Sequence, residues 1–126
     1  MNDDKTTIED LKKVMRQFVE ERDWRQFHKP KDLAIAISGE AAELLEHFRF
    51  RDEKMMNEYL SEKDNRLEIE RETADILSFL IRFADEMDID LARALEEKMQ
   101  HNTKRFPIGK ASGKGWMEIK RMERRK

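Results

Sequence analysis

The sequence predicts an all-α fold, a bundle of four to five helices, and three observations support this. Apolar residues recur at helical spacing along four long segments. The 126 residues include only 4 glycines and 2 prolines, which is few for an all-β protein with its many turns. The 28 acidic and 26 basic residues nearly cancel, so self-repulsion does not prevent one domain of this length from burying a core.

The first half of the chain contains signals for two helices. Thr7 is placed to cap a first helix from Ile8 to Arg22, and Asp10 three residues later completes a partial capping box. Residues 1–7 before this cap are expected to be flexible. Pro30 can open a second helix, over residues 30–48, because its missing N–H is no loss in a first turn.

The second half contains signals for two or three more helices. A charged stretch allows a short helix over residues 55–60, and a long apolar stripe predicts a helix over residues 65–87. Asp90 is a suitable N-cap for a further helix over residues 91–103. Residues 116–126 are compatible with a short helix or with a disordered end.

Composition excludes several classes of protein. The chain has no cysteine, which excludes disulfides, thiolate metal sites and cysteine nucleophiles. No apolar run approaches the 18 residues of a membrane span, and the N-terminal MNDDKTTIED is too acidic and polar for a signal peptide. We therefore expect a cytoplasmic protein with no membrane partner.

Charge is concentrated at the C-terminus. From Gly109 onward there are seven basic and two acidic residues, so this tail is net +5 and the rest of the chain is −7. A basic tail can contact nucleic acid, which makes a non-enzymatic, nucleic-acid-associated helical module the alternative function. A solvated terminus is the commoner reason for such a tail, and we expect no stable nucleic-acid partner.

Two acidic pairs lie inside long predicted helices, Glu40 with Glu43 and Glu72 with Asp75. Each pair is flanked by apolar residues, so packing of the two apolar stripes would line one seam with four carboxylates. Carboxylates so close cannot all stay ionised without cations, and oxygen donors suit Mg²⁺ or Mn²⁺. The alternative is two solvated acidic patches, which is usual for acids at this spacing.

A basic cluster marks the end of the helix over residues 91–103. Lys98 and Asn102 share a face, and Lys104 and Arg105 follow them. Such a group can clamp phosphate. Cations at a helix C-terminus also suit the helix dipole, so a purely structural role is open.

Three aromatic residues and the histidines complete the candidates. Trp24 lies in a polar break where a nucleobase could stack, Phe50 follows the second helix, and Phe79 lies four residues beyond Asp75. An aromatic residue at helical spacing is more often part of a core. The histidines lack the mutual spacing of metal ligands and are expected at the surface or in supporting positions: His28, His47 and His101.

The two acidic pairs resemble the ExxE…ExxD signature of the MazG-like all-α nucleoside triphosphate pyrophosphohydrolases. Further segments resemble the dCTP pyrophosphatase branch of that family, namely Glu21-Arg22-Asp23-Trp24, Gln26-Phe27-His28, Ser38-Gly39-Glu40, Lys98-Met99, Asn102 and Arg105-Phe106-Pro107. The resemblance covers residues 8–108 as one domain and leaves residues 109–126 as a basic tail.

The resemblance implies a magnesium-dependent enzyme that cleaves (deoxy)nucleoside triphosphates, dCTP-like ones among them, between the α- and β-phosphates. The products would be a monophosphate and pyrophosphate, in a house-cleaning or pool-control role. The implied metal ligands are Glu40, Glu43, Glu72 and Asp75. The implied substrate contacts are Lys98, Asn102 and Arg105 at the phosphates and Trp24, Phe50 and Phe79 at the base.

The chain departs from the animal dCTP enzymes at four positions. Met15 stands in place of a histidine, Phe79 and Phe106 in place of tyrosines, and Phe50 in place of a tryptophan. These changes remove polar groups that bear on selectivity for cytosine. Magnesium–carboxylate sites also serve phosphodiesterases and nucleases, which form a third class of candidate function.

Two predicted helices are apolar beyond a single stripe. Leu45 accompanies Leu44 on the second helix, and the face around Leu80 on the long helix is extended by Leu77, Phe79 and Ile81. A helix of this kind is normally covered on more than one side, which one small bundle cannot easily provide. We therefore expect a homo-oligomer, either a tetramer or a dimer.

Overall fold

The computed structural model describes residues 1–125, in which every regular element is helical. The six α-helices and one short 3₁₀ helix are, in order, α1 (Ile8–Glu21), the 3₁₀ helix (Arg25–Phe27), α2 (Pro30–Glu46), α3 (Glu53–Ser61), α4 (Lys63–Glu86), α5 (Leu91–Arg105) and α6 (Gly115–Arg124). The prediction of an all-α fold is confirmed.

The chain divides into two compact units, Met1–Ile89 and the residues from Asp90 onward. The division lies inside the span 8–108 assigned above to one domain, so those domain bounds stay a prediction. In the second unit α6 shows that most of the basic tail is helical. Lys126, the last residue of that tail, lies outside the described residues.

Helix starts follow the predicted caps. The Thr7 hydroxyl accepts a hydrogen bond from the Asp10 N–H, and the Thr7 N–H donates to the Asp10 carboxylate, both at 3.0 Å. Asp90 caps α5 by accepting from the Arg93 N–H at 2.9 Å. Pro30 is the first residue of α2, as predicted.

Most of the predicted helix bounds differ from the observed ones by one or two residues, and the ends of α1 and α2 show why. Helix α1 ends at Glu21 because Asp23 adopts a left-handed conformation (φ 54°), which lets the Trp24 N–H reach back to the Val19 carbonyl at 3.0 Å. Helix α2 ends before the predicted Phe48, in a turn. Both ends are set by local turn geometry, which apolar periodicity does not encode.

Helix α4 is central to the first unit, where α1, α2 and α3 all pack against it. The fully buried apolar residues come from three of these helices: Val19, Leu33, Ile81 and Ala84. The predicted apolar stripes are wider than this core, because several of their members remain at least 38% exposed: Val14, Phe18, Phe48, Leu80 and Met87. Nothing in the first unit covers the outer faces of the helices that surround α4.

The second unit consists of α5 and α6. Its best-defined contact joins Arg105 and Glu123, whose closest atoms are 2.7 Å apart in a forked ion pair. Among residues 1–125, no helix combines the length and the hydropathy that crossing a membrane requires.

Candidate active site

Three of the four predicted acidic residues meet where α2 packs on α4. Glu40 and Glu43 from α2 and Glu72 from α4 each contribute a carboxylate oxygen, and these oxygens lie within 4.8 Å of one another. Packing of the two apolar stripes therefore produces the acidic seam that the sequence predicted for these three residues.

Two oxygens of this cluster are buried without a partner. Oε2 of Glu40 and Oε2 of Glu72 accept no hydrogen bond from any group in residues 1–125. A buried carboxylate oxygen without a donor is costly, and a bound cation removes that cost. The oxygen donor set fits Mg²⁺ or Mn²⁺, which prefer carboxylates.

The pKa shifts of the clustered carboxylates also favour a bound cation. Burial raises the pKa of Glu40 above its ordinary value of 4.5, and the charges of Glu43 and Asp75 raise it further. Burial also raises the pKa of Glu72, with Glu43 adding to the rise. The folded chain thus holds these carboxylates together against their mutual repulsion, which a divalent cation would relieve.

Asp75 connects the acidic cluster to a neighbouring cavity. Its charge acts on both Glu40 and Glu72, and its side chain also lines a cavity of about 370 Å³ in the first unit. The cavity walls come from α1, α4 and the segment between α1 and α2: Met15, Phe18, Val19, Trp24, His28, Asp75, Ser78, Phe79 and Arg82. An apolar cavity with a few polar groups is the usual form of a small-molecule site.

Two of the three predicted base-contacting residues line this cavity. Trp24 and Phe79 both face it, and the Trp24 ring packs edge-to-face on Phe18 with centroids 5.6 Å apart. Phe50 does not line it: the residue is 85% exposed, at a φ of 64° that is unusual for a bulky side chain. Its ring contacts the Arg49 guanidinium, 4.4 Å from the centroid.

The predicted phosphate-contacting residues belong to the second unit. Lys98, Asn102 and Arg105 all lie on α5, and Arg105 is engaged there by Glu123. Their role toward the carboxylates stays a prediction.

A buried arginine beside the cavity was not anticipated from the sequence. The Arg82 side chain is only 1% exposed, and it donates to Nδ1 of His28 (3.2 Å), to Asp85 (3.1 Å) and to Glu86. The acids three and four residues after Arg82 are a weak sequence signal for such a network. His28 lies 54 residues from Arg82 in the sequence, and no local sequence pattern predicts their contact.

His47 supports the acidic cluster from the end of α2. Its Nδ1 lies 2.7 Å from the Tyr59 hydroxyl, and its Nε2 lies 4.0 Å from Oε1 of Glu72. The Arg51 guanidinium covers the Tyr59 ring at 3.9 Å and donates to the His47 carbonyl. This is one of the supporting positions expected for the histidines.

The fold and the site together define a helical protein with a carboxylate cluster beside an aromatic cavity, built where facing helices pack. The family model that matches the chain, over residues 35–117, is that of the MazG-like family. The chain belongs to the MazG-like family, which confirms the resemblance seen in the acidic pairs.

Curated relatives include dCTP pyrophosphatase 1 of Rattus norvegicus and of Homo sapiens. The rat protein is 34% identical over 107 residues, 85% of this chain and 63% of the relative, so the chain spans less than two thirds of its length. The human protein is 31% identical over 115 residues, 90% of this chain and 68% of the relative.

A solved structure is similar as well. It is that of a pyrophosphatase from Archaeoglobus fulgidus, with a TM-score of 0.73 and 37% identity, and the match covers 79% of this chain and 92% of that one. The all-α arrangement is therefore shared with a pyrophosphatase of comparable length.

Proposed function

We propose that the chain is a metal-dependent nucleoside triphosphate pyrophosphohydrolase, which converts (deoxy)nucleoside triphosphates to monophosphate and pyrophosphate. One observation carries the proposal: a carboxylate cluster with two unpartnered buried oxygens adjoins an aromatic cavity through Asp75. The relatives named as pyrophosphatases support it.

The residues that would hold Mg²⁺, or Mn²⁺ in its place, are Glu40, Glu43, Glu72 and Asp75. When bound, the cation supplies neutralisation of phosphate charge and lowers the pKa of a coordinated water. Either Glu40 or Glu43 accepts the proton of the attacking water, and Glu43 is the more exposed of the two.

The cavity binds the base. Trp24 and Phe79 offer aromatic surface for stacking, and the apolar walls exclude water from the stacked ring. Lys98, Asn102 and Arg105 are assigned to the phosphates, where fixed positive charge stabilises the departing pyrophosphate. Phe50, strained and exposed, is assigned to the base by family resemblance.

The working unit is a homo-oligomer, a dimer or a tetramer. On α4, Leu77 and Leu80 are three residues apart and both at least 40% exposed, and on α2 Leu45 is 55% exposed. Outward apolar side chains at neighbouring helix positions are typical of an interface between subunits.

Product analysis tests the proposal. The full chain is incubated with Mg²⁺ and a panel of nucleoside triphosphates in water labelled with ¹⁸O. We expect pyrophosphate rather than orthophosphate, with the label in the monophosphate. Label in pyrophosphate alone would exclude attack at the α-phosphorus.

Two other outcomes would favour the alternative functions. Hydrolysis of diesters without release of pyrophosphate would favour a phosphodiesterase. Metal-independent, salt-sensitive DNA binding without hydrolysis would favour the nucleic-acid-associated module.

A further inference from the structure

The contact between Arg82 and His28 fixes where the imidazole proton lies. The Arg82 guanidinium has only donors, and its Nε points at Nδ1 of His28 at 3.2 Å. Nδ1 must therefore present its lone pair, which places the proton of a neutral His28 ring on Nε2.

The surroundings keep that ring neutral. Burial lowers the pKa of His28 below its ordinary value of 6.5, and the positive charge of Arg82 lowers it further, while Glu86 acts weakly in the opposite direction. Arg82 itself is held by Asp85 and Glu86. The charged groups facing His28 are thus already paired with one another.

The Nε2–H is the donor that the contact with Arg82 leaves free on the His28 ring. His28 lines the cavity, and no group in the described part of the chain accepts from its Nε2. The other polar side chains that line the cavity are already used: Asp75 is assigned above to the cation, Arg82 is bonded through all three nitrogens, and the Ser78 hydroxyl donates to the Asp75 carbonyl at 2.8 Å. The Trp24 N–H lies in the plane of its own ring and cannot reach the edge of a base stacked on that ring.

We infer that His28 is a specificity-determining residue, a fixed hydrogen-bond donor to an acceptor on the nucleobase edge, either a ring carbonyl oxygen or an unprotonated ring nitrogen. The inference rests on the proposed function, because it takes the cavity as the base site. Arg82 is the positioning residue: it orients the imidazole and selects its tautomer.

The anchoring of Arg82 explains why this donor is preorganised. Asp85, which accepts from Arg82, also binds Arg16 of α1 at 2.6 Å. The imidazole is thereby tied to α1 and α4, two helices that contribute residues to the cavity wall. A donor held in place loses little conformational entropy when it meets its acceptor.

The first test is independent of catalysis. Nitrogen NMR of the full chain carrying ¹⁵N-histidine, at neutral pH without nucleotide, should show His28 with a proton-bearing Nε2 and a lone-pair Nδ1. His28→Gln identifies the signal by its loss. A protonated imidazolium, or the opposite tautomer, would overturn the inference.

The second test couples the side chain to the base. The specificity constant kcat/KM is measured with dCTP and with its 2-thio and 3-deaza analogues, each of which weakens or removes one acceptor. His28→Phe should lower kcat/KM for dCTP about tenfold, as for one lost neutral hydrogen bond. For the analogue lacking the contacted acceptor the loss should fall below about twofold, and His28→Gln, whose amide nitrogen can replace Nε2, should recover part of it.

Equal losses on all three nucleotides would show that His28 only supports the fold, and would overturn the inference while leaving pyrophosphate release intact. Failure of the wild-type chain to hydrolyse any nucleotide would instead refute the proposed function. Dissociation constants of the same three nucleotides then replace kcat/KM, and equal weakening by His28→Phe again overturns the role of His28.

Discussion

Arg16 and Asp85 join α1 to α4 through two hydrogen bonds across 69 residues of sequence, Nε to Oδ2 at 3.0 Å and Nη2 to Oδ1 at 2.6 Å. A planar guanidinium facing a carboxylate in this forked geometry is among the stronger polar contacts in proteins. Asp85 also accepts from buried Arg82, so one carboxylate holds two cations from two helices.

Removal of this carboxylate charge should destabilise the first unit. Asp85→Asn leaves Arg82 buried with Glu86 as its remaining acid, and we expect the free energy of unfolding to fall by about 2–3 kcal/mol. Urea denaturation measures the change. The matched control is Glu68→Gln, which breaks an exposed pair with Arg71 and should cost less than about 0.5 kcal/mol. Equal effects of the two substitutions would contradict the prediction.

The same carboxylate should give stability a defined pH dependence. Hydrogen bonding from Arg16 holds the pKa of Asp85 below its ordinary value of 3.8. Its contribution is complete well above that pH and is lost as pH falls through the lower, folded-state pKa. The stability difference between wild type and Asp85→Asn should therefore be constant near neutrality and shrink in acid, as followed by urea titrations at successive pH values. A difference that persists unchanged in strong acid would rule out this origin.

Metal should stabilise the chain through the acidic cluster. Mg²⁺ at a hundred times its dissociation constant should raise the free energy of unfolding by about 3 kcal/mol. Glu40→Gln should abolish most of that increment and, by relieving repulsion, should stabilise the metal-free chain. Calorimetry with and without Mg²⁺ provides the measurement. Glu46→Gln, an exposed acid farther along α2, is the control and should retain the increment; its loss there would point to nonspecific binding.

Trp24 should contribute base stacking. Trp24→Ala is expected to weaken nucleoside triphosphate binding by about 1–3 kcal/mol while leaving tripolyphosphate binding nearly unchanged. Isothermal titration with both ligands separates the two effects. Trp116→Ala removes an equally exposed tryptophan of the second unit and should change neither. Weakening of both ligands by Trp24→Ala would mean that the ring supports the fold alone.

The outward leucines of α4 should hold subunits together. Light scattering at micromolar concentration should show a species of at least twice the 15.2 kDa chain mass. Leu77→Lys combined with Leu80→Lys should shift it toward monomer, whereas Met55→Lys, a similarly exposed position on α3, should not. A fully active monomer of the wild-type chain would refute the oligomer.

The sequence predicts the helices well, because caps and periodicity act locally. Thr7, Pro30 and Asp90 each mark a helix start that the structure contains. The acidic seam could also be predicted from the sequence, since the acidic pairs and the apolar stripes lie on the same two helices. The small number of fully buried residues could not be predicted, because periodicity shows which face of a helix is apolar but not whether another element covers that face.

Contacts between distant residues account for most of what the sequence could not provide. From the sequence, Arg82 is expected to be an ordinary surface arginine, since acidic residues follow it at i+3 and i+4. In the structure its side chain is buried against His28. The left-handed backbone conformation of Phe50 could not be predicted from a sequence pattern either, because phenylalanine rarely adopts that conformation. Such features depend on how elements meet in space.

Helix α4 carries the acidic and the aromatic parts of the site in a single uninterrupted run from Glu72 through Asp75 and Phe79 to Arg82. Each residue advances a helix by about 1.5 Å and 100°, so this segment is about 15 Å long. Its rigid geometry fixes the distance and the relative orientation of the acidic and the aromatic residues. One inserted or deleted residue between Asp75 and Phe79 would turn one part away from the other. We therefore expect related chains to diversify in base preference by exchanging side chains along this helix, while its length between these positions tolerates no change.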